Sequence, residues 1–77
     1  MKTISKQAII SDEVRRYMQA LGLTQVDIAK TLGVQAPAVS RKINGSRRWS
    51  IEDVDRLEAD GCPIGLRILY MGEEVGA

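Results

Sequence analysis

The stretch LTQVDIAKTLGVQAPAVSRKING, residues 23–45, decides the fold of this chain. Its first half has the spacing of a capping box, with Asp27 three positions after Thr24, so we predict a helix over residues 25–32. A connection of three residues, 33–35, then begins with a glycine, the residue that most readily takes the left-handed conformation at a helix end. Such a short connection is typical of two helices that cross at a steep angle.

The second half of the stretch predicts another helix. Pro37 suits a first turn, where its missing N–H is not needed and its fixed φ favours the helix, so the helix begins at Ala36 or Pro37. Val39 and Ile43 lie one turn apart and are expected to face inward, and the Asn-Gly pair at 44–45 ends the helix. The side chains that are expected to point outward are Gln35, Ala36, Ala38, Arg41 and Lys42.

Upstream, Ser11 precedes two acids and has the character of an N-cap, which predicts a helix over residues 12–21 that ends at Gly22. The two isoleucines at 9–10 either extend this helix or lie as an arm. The apolar stripe of the helix is expected to consist of Val14, Met18 and Leu21.

Downstream, Ser50 and Asp53 form a second capping box, which predicts a helix over residues 51–60. Trp49, directly before the cap, is expected to pack inward as an anchor. The apolar stripe of this helix is expected to consist of Ile51, Val54 and Leu57.

The final segment, residues 62–77, is consistent with two structures. Either Pro63 starts a fifth helix, or residues 66–70 form a β-strand, since they include β-branched and aromatic side chains. In both cases the apolar side chains are expected to complete the core or to form a dimer surface. We therefore predict one all-α domain over residues 1–77, with four or five helices.

Length and composition restrict the classes of function. A chain of 77 residues with 44% hydrophobic and 27% charged residues suits a soluble globular domain. It has no apolar run of membrane-spanning length and no signal-peptide pattern. One cysteine and no histidine exclude an internal disulfide and leave neither a common general base nor the usual zinc ligands. We expect a cytoplasmic protein that is not an enzyme and that has no cofactor or metal.

Charge is distributed unevenly along the chain, although the net charge is only +1. Residues 24–48 carry five cations against one acid, whereas residues 51–77 carry two cations against seven acids. A cationic middle beside an acidic end favours a face that binds a polyanion. Solvated surface charge is the alternative that charge alone leaves open.

Residues 11–60 together resemble the lambda-repressor and Cro-like family of bacterial and phage helix-turn-helix regulators. The resemblance depends on the spacing of Gln25, Ala29, Gly33 and Val39. Ala29 has to be small where the two helices cross, Gly33 takes the left-handed turn, and Val39 fills the angle between the helices. The remaining core positions of the motif are Ile28, Leu32 and Val34.

The resemblance implies which residues contact DNA. In this family the second helix of the motif, residues 36–43 here, enters the major groove of a double-stranded DNA operator. The base-reading positions that it implies are Gln35, Ala36, Ala38 and Arg41. The phosphate-contacting positions that it implies are Gln25, Lys42, Asn44, Ser46, Arg47 and Arg48.

The resemblance also implies a function, that of a transcriptional regulator of the small phage repressor type. Such a protein is expected to bind DNA as a homodimer, with residues 62–77 as the dimer contact. The alternative is an antitoxin-like or other protein-interaction module with the same fold, in which the C-terminal segment masks a partner.

Overall fold

The computed structural model describes residues 5–65, which form four helices and no strand. The predicted all-α class is confirmed. In chain order the helices are α1 (Lys6–Leu21), α2 (Gln25–Leu32), α3 (Ala36–Asn44) and α4 (Ile51–Asp60).

The ends of α2, α3 and α4 confirm the predictions to within one residue. Both bonds of the capping box are present at Thr24, whose side chain accepts from the Asp27 N–H while its own N–H donates to the Asp27 carboxylate. Ser50 makes the same pair of bonds before α4. Gly33 closes α2 in the left-handed region, with φ of 70°. These short-range signals therefore fix the helix-turn-helix unit and the start of α4.

The predicted start of α1 is wrong. The helix begins at Lys6, and its N-cap is Ser5, whose side chain accepts from the Ala8 N–H. Ser11 lies one and a half turns inside the helix and is buried. Its Oγ donates to the Lys42 carbonyl over 3.1 Å and accepts from Trp49 Nε1–H over 2.9 Å. The role of this serine is therefore to make long-range hydrogen bonds to α3 and to Trp49, not to cap the helix.

One core joins the helices. Trp49 is buried in it and confirms the predicted anchor. Leu21 and Ile51 lie at helix ends and are exposed, Ile51 to 83%, so the predicted stripes of α1 and α4 are each one residue too long. Val34 is also more exposed than predicted. The fully buried side chains are Val14, Ile28, Leu32, Val39, Leu57, Cys62 and Ile64.

The beginning of the C-terminal segment closes the core. Cys62 and Ile64 are buried, and burial is the main cause that raises the pKa of the Cys62 thiol to about 12. The choice between helix and strand over 66–70, and the dimer contact expected over 62–77 except for its first four residues, lie outside the described residues. Among residues 5–65 no helix is both long and apolar enough to span a membrane.

Candidate nucleic-acid interface

The outer face of α3 consists of residues spaced three or four positions apart. Pro37, Arg41 and Asn44 are exposed, and Ala36 and Ser40 are partly exposed. At about 100° per residue these positions share one side of a helix. Sequence reasoning missed Pro37 and Ser40 as members of this face, although Pro37 lies four positions before Arg41 and Ser40 four positions before Asn44.

Gln35 and Gln25 are exposed at the first turns of the two helices of the motif. Gln35 occupies the N-cap of α3, yet its side chain makes no hydrogen bond to any residue between 5 and 65. Gln25 is the first residue of α2. Both side chains are therefore accessible, and their contacts with DNA stay a prediction.

The prediction that Ala38 points outward is wrong. Ala38 is 8% exposed and lies on the same side of α3 as Val39 and Lys42, the side that packs against the protein. A methyl group in this position fills space between helices and does not reach a base edge. The set of base-reading candidates on α3 therefore loses Ala38.

Lys42 is also placed differently from the prediction. Its side chain is only 8% exposed, and Nζ lies 2.5 Å from Asp53 Oδ2, which is itself on a side chain 9% exposed. The same ammonium donates to the Arg48 carbonyl over 3.2 Å and lies 5.9 Å from the centre of the Trp49 ring. Lys42 follows Val39 by three positions, so it starts on the buried side, and its long stem carries the charge to α4. It is not an outward phosphate ligand.

Asp53 balances this buried cation. Burial alone would raise the pKa of its carboxyl, but the hydrogen bond from Lys42 and those from Ser50 outweigh it, and the pKa lies below its ordinary value. Oδ2 accepts from Lys42 Nζ and from the Ser50 N–H, the latter over 2.9 Å. The third residue of α4, which completes the capping box with Ser50, is thus also the counter-ion of Lys42 in α3.

Three guanidinium groups lie at the end of α3 and in the α3–α4 loop, residues 45–50. Arg41, Arg47 and Arg48 are exposed, and within residues 5–65 none of them forms an ion pair. The loop backbone is ordered around them. Arg47 N–H donates to the Arg41 carbonyl over 3.1 Å, and Ser46 N–H donates to Asn44 Oδ1 over 2.9 Å. The arrangement is a local cationic surface beside the outer face of α3.

A groove of about 400 Å³ continues this surface towards the N-terminal half of α1, and Gln7, Arg15, Arg47 and Arg48 contribute to its walls. Arg15 Nη2 donates to the Ile43 carbonyl over 3.1 Å, so it satisfies an end of α3 while it stays exposed. Among residues 5–65 no group of three or more His, Cys, Asp or Glu side chains is arranged to hold a metal ion.

Comparison with known families agrees with this geometry. A family model described as helix-turn-helix, of the Cro and C1 type, matches residues 14–59, which is more than half of the chain. Comparisons with curated proteins and with solved structures gave no match.

Proposed function

Because the chain belongs to the Cro- and C1-type helix-turn-helix family, we propose that it is a sequence-specific regulator of transcription that binds double-stranded DNA. One observation carries the proposal. The exposed face of α3 includes Arg41 and ends beside Arg47 and Arg48, and none of these guanidinium groups has a carboxylate partner among the described residues. A polyanion with a groove wide enough for a helix fits such a surface.

In this proposal α3 enters the major groove. Arg41 is the principal base reader, because a guanidinium can donate to guanine O6 and N7 together. Ala36 offers a methyl group to a thymine methyl, and Gln35 offers an amide from the N-cap. Pro37 and Ser40 complete the face, so sequence preference depends on a few contacts and on the shape of the DNA.

The phosphate contacts come from the flanks of α3. Arg47 and Arg48 bind the backbone on the side of the α3–α4 loop, with Asn44 and Ser46 beside them. Gln25 binds it from the start of α2, where backbone N–H groups and the helix dipole also favour an anion. These contacts fix the register of α3 and carry no sequence information themselves.

We further propose that two copies bind one operator. The nine residues of α3 reach only a few base pairs, so useful affinity requires a second unit. A homodimer through residues 62–77, on a near-palindrome with half-sites about one helical turn apart, meets this need. Occupancy of such an operator represses transcription, in the manner of a small phage repressor, and needs neither a cofactor nor catalysis. The protein would act in the cytoplasm.

Selection of bound duplexes from a random pool tests the proposal. We expect one enriched near-palindrome with half-sites about 10 base pairs apart. If Arg47 and Arg48 of both subunits bind phosphates, log K for that duplex should fall with log salt with a slope of about −4. A pool without an enriched sequence, or an affinity that does not change with salt, contradicts the proposal.

A further inference from the structure

The buried ion pair between Lys42 and Asp53 lies directly behind the cationic surface. Lys42 belongs to α3 and Asp53 to α4, so the pair joins the two helices on either side of the α3–α4 loop. Both side chains are more than nine-tenths buried, and the two charged atoms are 2.5 Å apart. Neither group is therefore in a position to touch a ligand.

The ion pair holds the loop at two points. Lys42 Nζ donates to the Arg48 carbonyl over 3.2 Å, and the Asp53 carboxylate accepts from the Ser50 N–H over 2.9 Å. Trp49, between those points, is held by α1, because its N–H and carbonyl bond to the Gln7 amide over 2.6 and 3.1 Å. The backbone that carries the exposed arginines is thus fixed residue by residue.

The same network holds the end of α3. Ser11 Oγ donates to the Lys42 carbonyl, and Arg15 donates to the Ile43 carbonyl. Lys42 is therefore the residue at which α3, the α3–α4 loop and α4 meet. These contacts connect the outer face of α3 to the backbone that carries the loop arginines.

Stability alone does not explain a buried ion pair. Replacement of such a pair by apolar residues of similar volume is often neutral or stabilising, because two charges lose their hydration. An apolar pair here would fill the space but would leave the Arg48 carbonyl and the Ser50 N–H without their partners. What the ion pair supplies is the conformation of the loop.

We propose that Lys42 and Asp53 are positioning residues for DNA binding, which hold Arg47 and Arg48 in register with the outer face of α3 and make no contact with DNA. This inference rests on the proposed function. It replaces the simpler expectation that Lys42 is one more cation for the phosphates.

The variants Asp53→Asn and Asp55→Asn distinguish a positioning role of the ion pair from a simple effect of charge on DNA binding. Each removes one acid from α4, and Asp55 is exposed and forms no ion pair within residues 5–65. On charge alone both variants should bind an operator duplex slightly more tightly. We expect Asp55→Asn to do so, whereas Asp53→Asn should bind about two- to thirtyfold more weakly, as for coupling through residues that do not touch the ligand. The salt slope of Asp53→Asn should also fall, by about 1 for each phosphate that the dimer no longer binds.

A titration of the wild-type protein with the selected duplex distinguishes a failure of the proposed function from a failure of the positioning role. Failure of the wild type to bind duplex in a salt-dependent way contradicts the proposed function. Binding by the wild type, with a folded Asp53→Asn that binds as tightly as Asp55→Asn, overturns only the positioning role. A weaker affinity with an unchanged salt slope also overturns it, since that result reports fewer folded molecules rather than fewer bound phosphates.

A double variant covers the case in which Asp53→Asn unfolds. Lys42→Met with Asp53→Asn leaves no unpaired buried charge and keeps the net charge of the chain. Without DNA, we expect the Arg47 N–H, which donates to the Arg41 carbonyl, to exchange with solvent about tenfold faster relative to the Leu32 N–H of α2. An unchanged ratio in the folded double variant overturns the inference.

Discussion

Asp27 and Asp53 occupy the same position in two capping boxes, but the Asp53 side chain is buried and the Asp27 carboxylate lies at an exposed site. Each carboxylate completes a capping box, and the pKa of each lies below its ordinary value. For Asp27 the main cause is the hydrogen bond from the Thr24 backbone at an exposed site. For Asp53 burial opposes ionisation, and the Lys42 bond together with the Ser50 bonds outweighs it. The buried site therefore links the charge of one residue to the packing of two helices.

Acid should weaken the fold partly through Asp53. Because folding lowers the pKa of this carboxyl, the stability that it contributes is full above the pKa of the unfolded chain, about 3.9, and is lost as the pH falls through the folded-state pKa. Asp53→Asn should lower the free energy of unfolding by about 3 kcal/mol at pH 7, because Lys42 loses its counter-ion. Urea unfolding of both proteins at pH 7 and pH 3 measures this.

The difference between wild type and Asp53→Asn should be smaller at pH 3 than at pH 7. Asp27 still titrates in the variant, so some acid sensitivity remains. Asp55→Asn is the control and should change the free energy of unfolding by less than about 0.5 kcal/mol. An equal difference between wild type and Asp53→Asn at both pH values would contradict the assignment of the lowered pKa to this ion pair.

At the scale of the element, α1 both packs on the core and forms hydrogen bonds to the backbone of α3 and of the α3–α4 loop. It contacts α3 and the α3–α4 loop through polar side chains at one-turn spacing, namely Gln7, Ser11 and Arg15. Ser11 is the buried member, with Trp49 as its donor and the Lys42 carbonyl as its acceptor. The helix therefore supports the candidate interface from behind.

Ser11→Ala should destabilise the protein more than Ser5→Ala does. The first change leaves the Trp49 indole N–H buried without a partner and removes one of the bonds to the Lys42 carbonyl, which still accepts from the Gly45 N–H, at a cost of about 2 kcal/mol. The second removes an exposed N-cap, at a cost of about 1 kcal/mol. Urea unfolding followed by Trp49 fluorescence measures both. The reverse order would contradict the assignment of a stabilising long-range role to the Ser11 hydroxyl.

The contrast between these serines also shows what the sequence can reveal. Thr24, Ser50 and Gly33 act within one turn of their own positions, so patterns of a few residues located α2, α3 and the start of α4. Ser11 has an equally good local pattern, but its partners lie 31 and 38 residues away. A local pattern carries no information on such contacts.

In the candidate site, too, the sequence predicted the exposure of some residues correctly and of others wrongly. Arg41, Arg47 and Arg48 are exposed as predicted, because an unbalanced cluster of cations is seldom buried. Lys42 differs from Arg41 by one position, which is a rotation of about 100° around α3, and this rotation turns it towards Asp53. The prediction for Ala38 is wrong for a different reason. Alanine is small and compatible with either side of a helix, so its residue type does not indicate that it is buried.

At the scale of the whole molecule, the net charge of +1 does not show the contrast between a cationic middle segment, residues 24–48, and an acidic C-terminal segment, residues 51–77. The buried ion pair removes one cation from the surface at α3, yet three guanidinium groups remain there without an ion pair among residues 5–65. Affinity for DNA should therefore follow this local surface rather than the net charge. If two copies associate as proposed, the dimer should bind more tightly because it presents that surface twice.

The most direct measurement compares Arg41→Ala with Arg48→Ala on a set of duplexes in which each base pair of the selected site is changed in turn. Arg41→Ala should lose about 1–3 kcal/mol of discrimination at one position per half-site and leave the others unchanged. Arg48→Ala should weaken binding to all the duplexes alike and reduce the salt slope by about 1 per subunit. If Arg41→Ala instead weakens every duplex equally, with no change in preference at any base pair, α3 does not read the major groove as proposed.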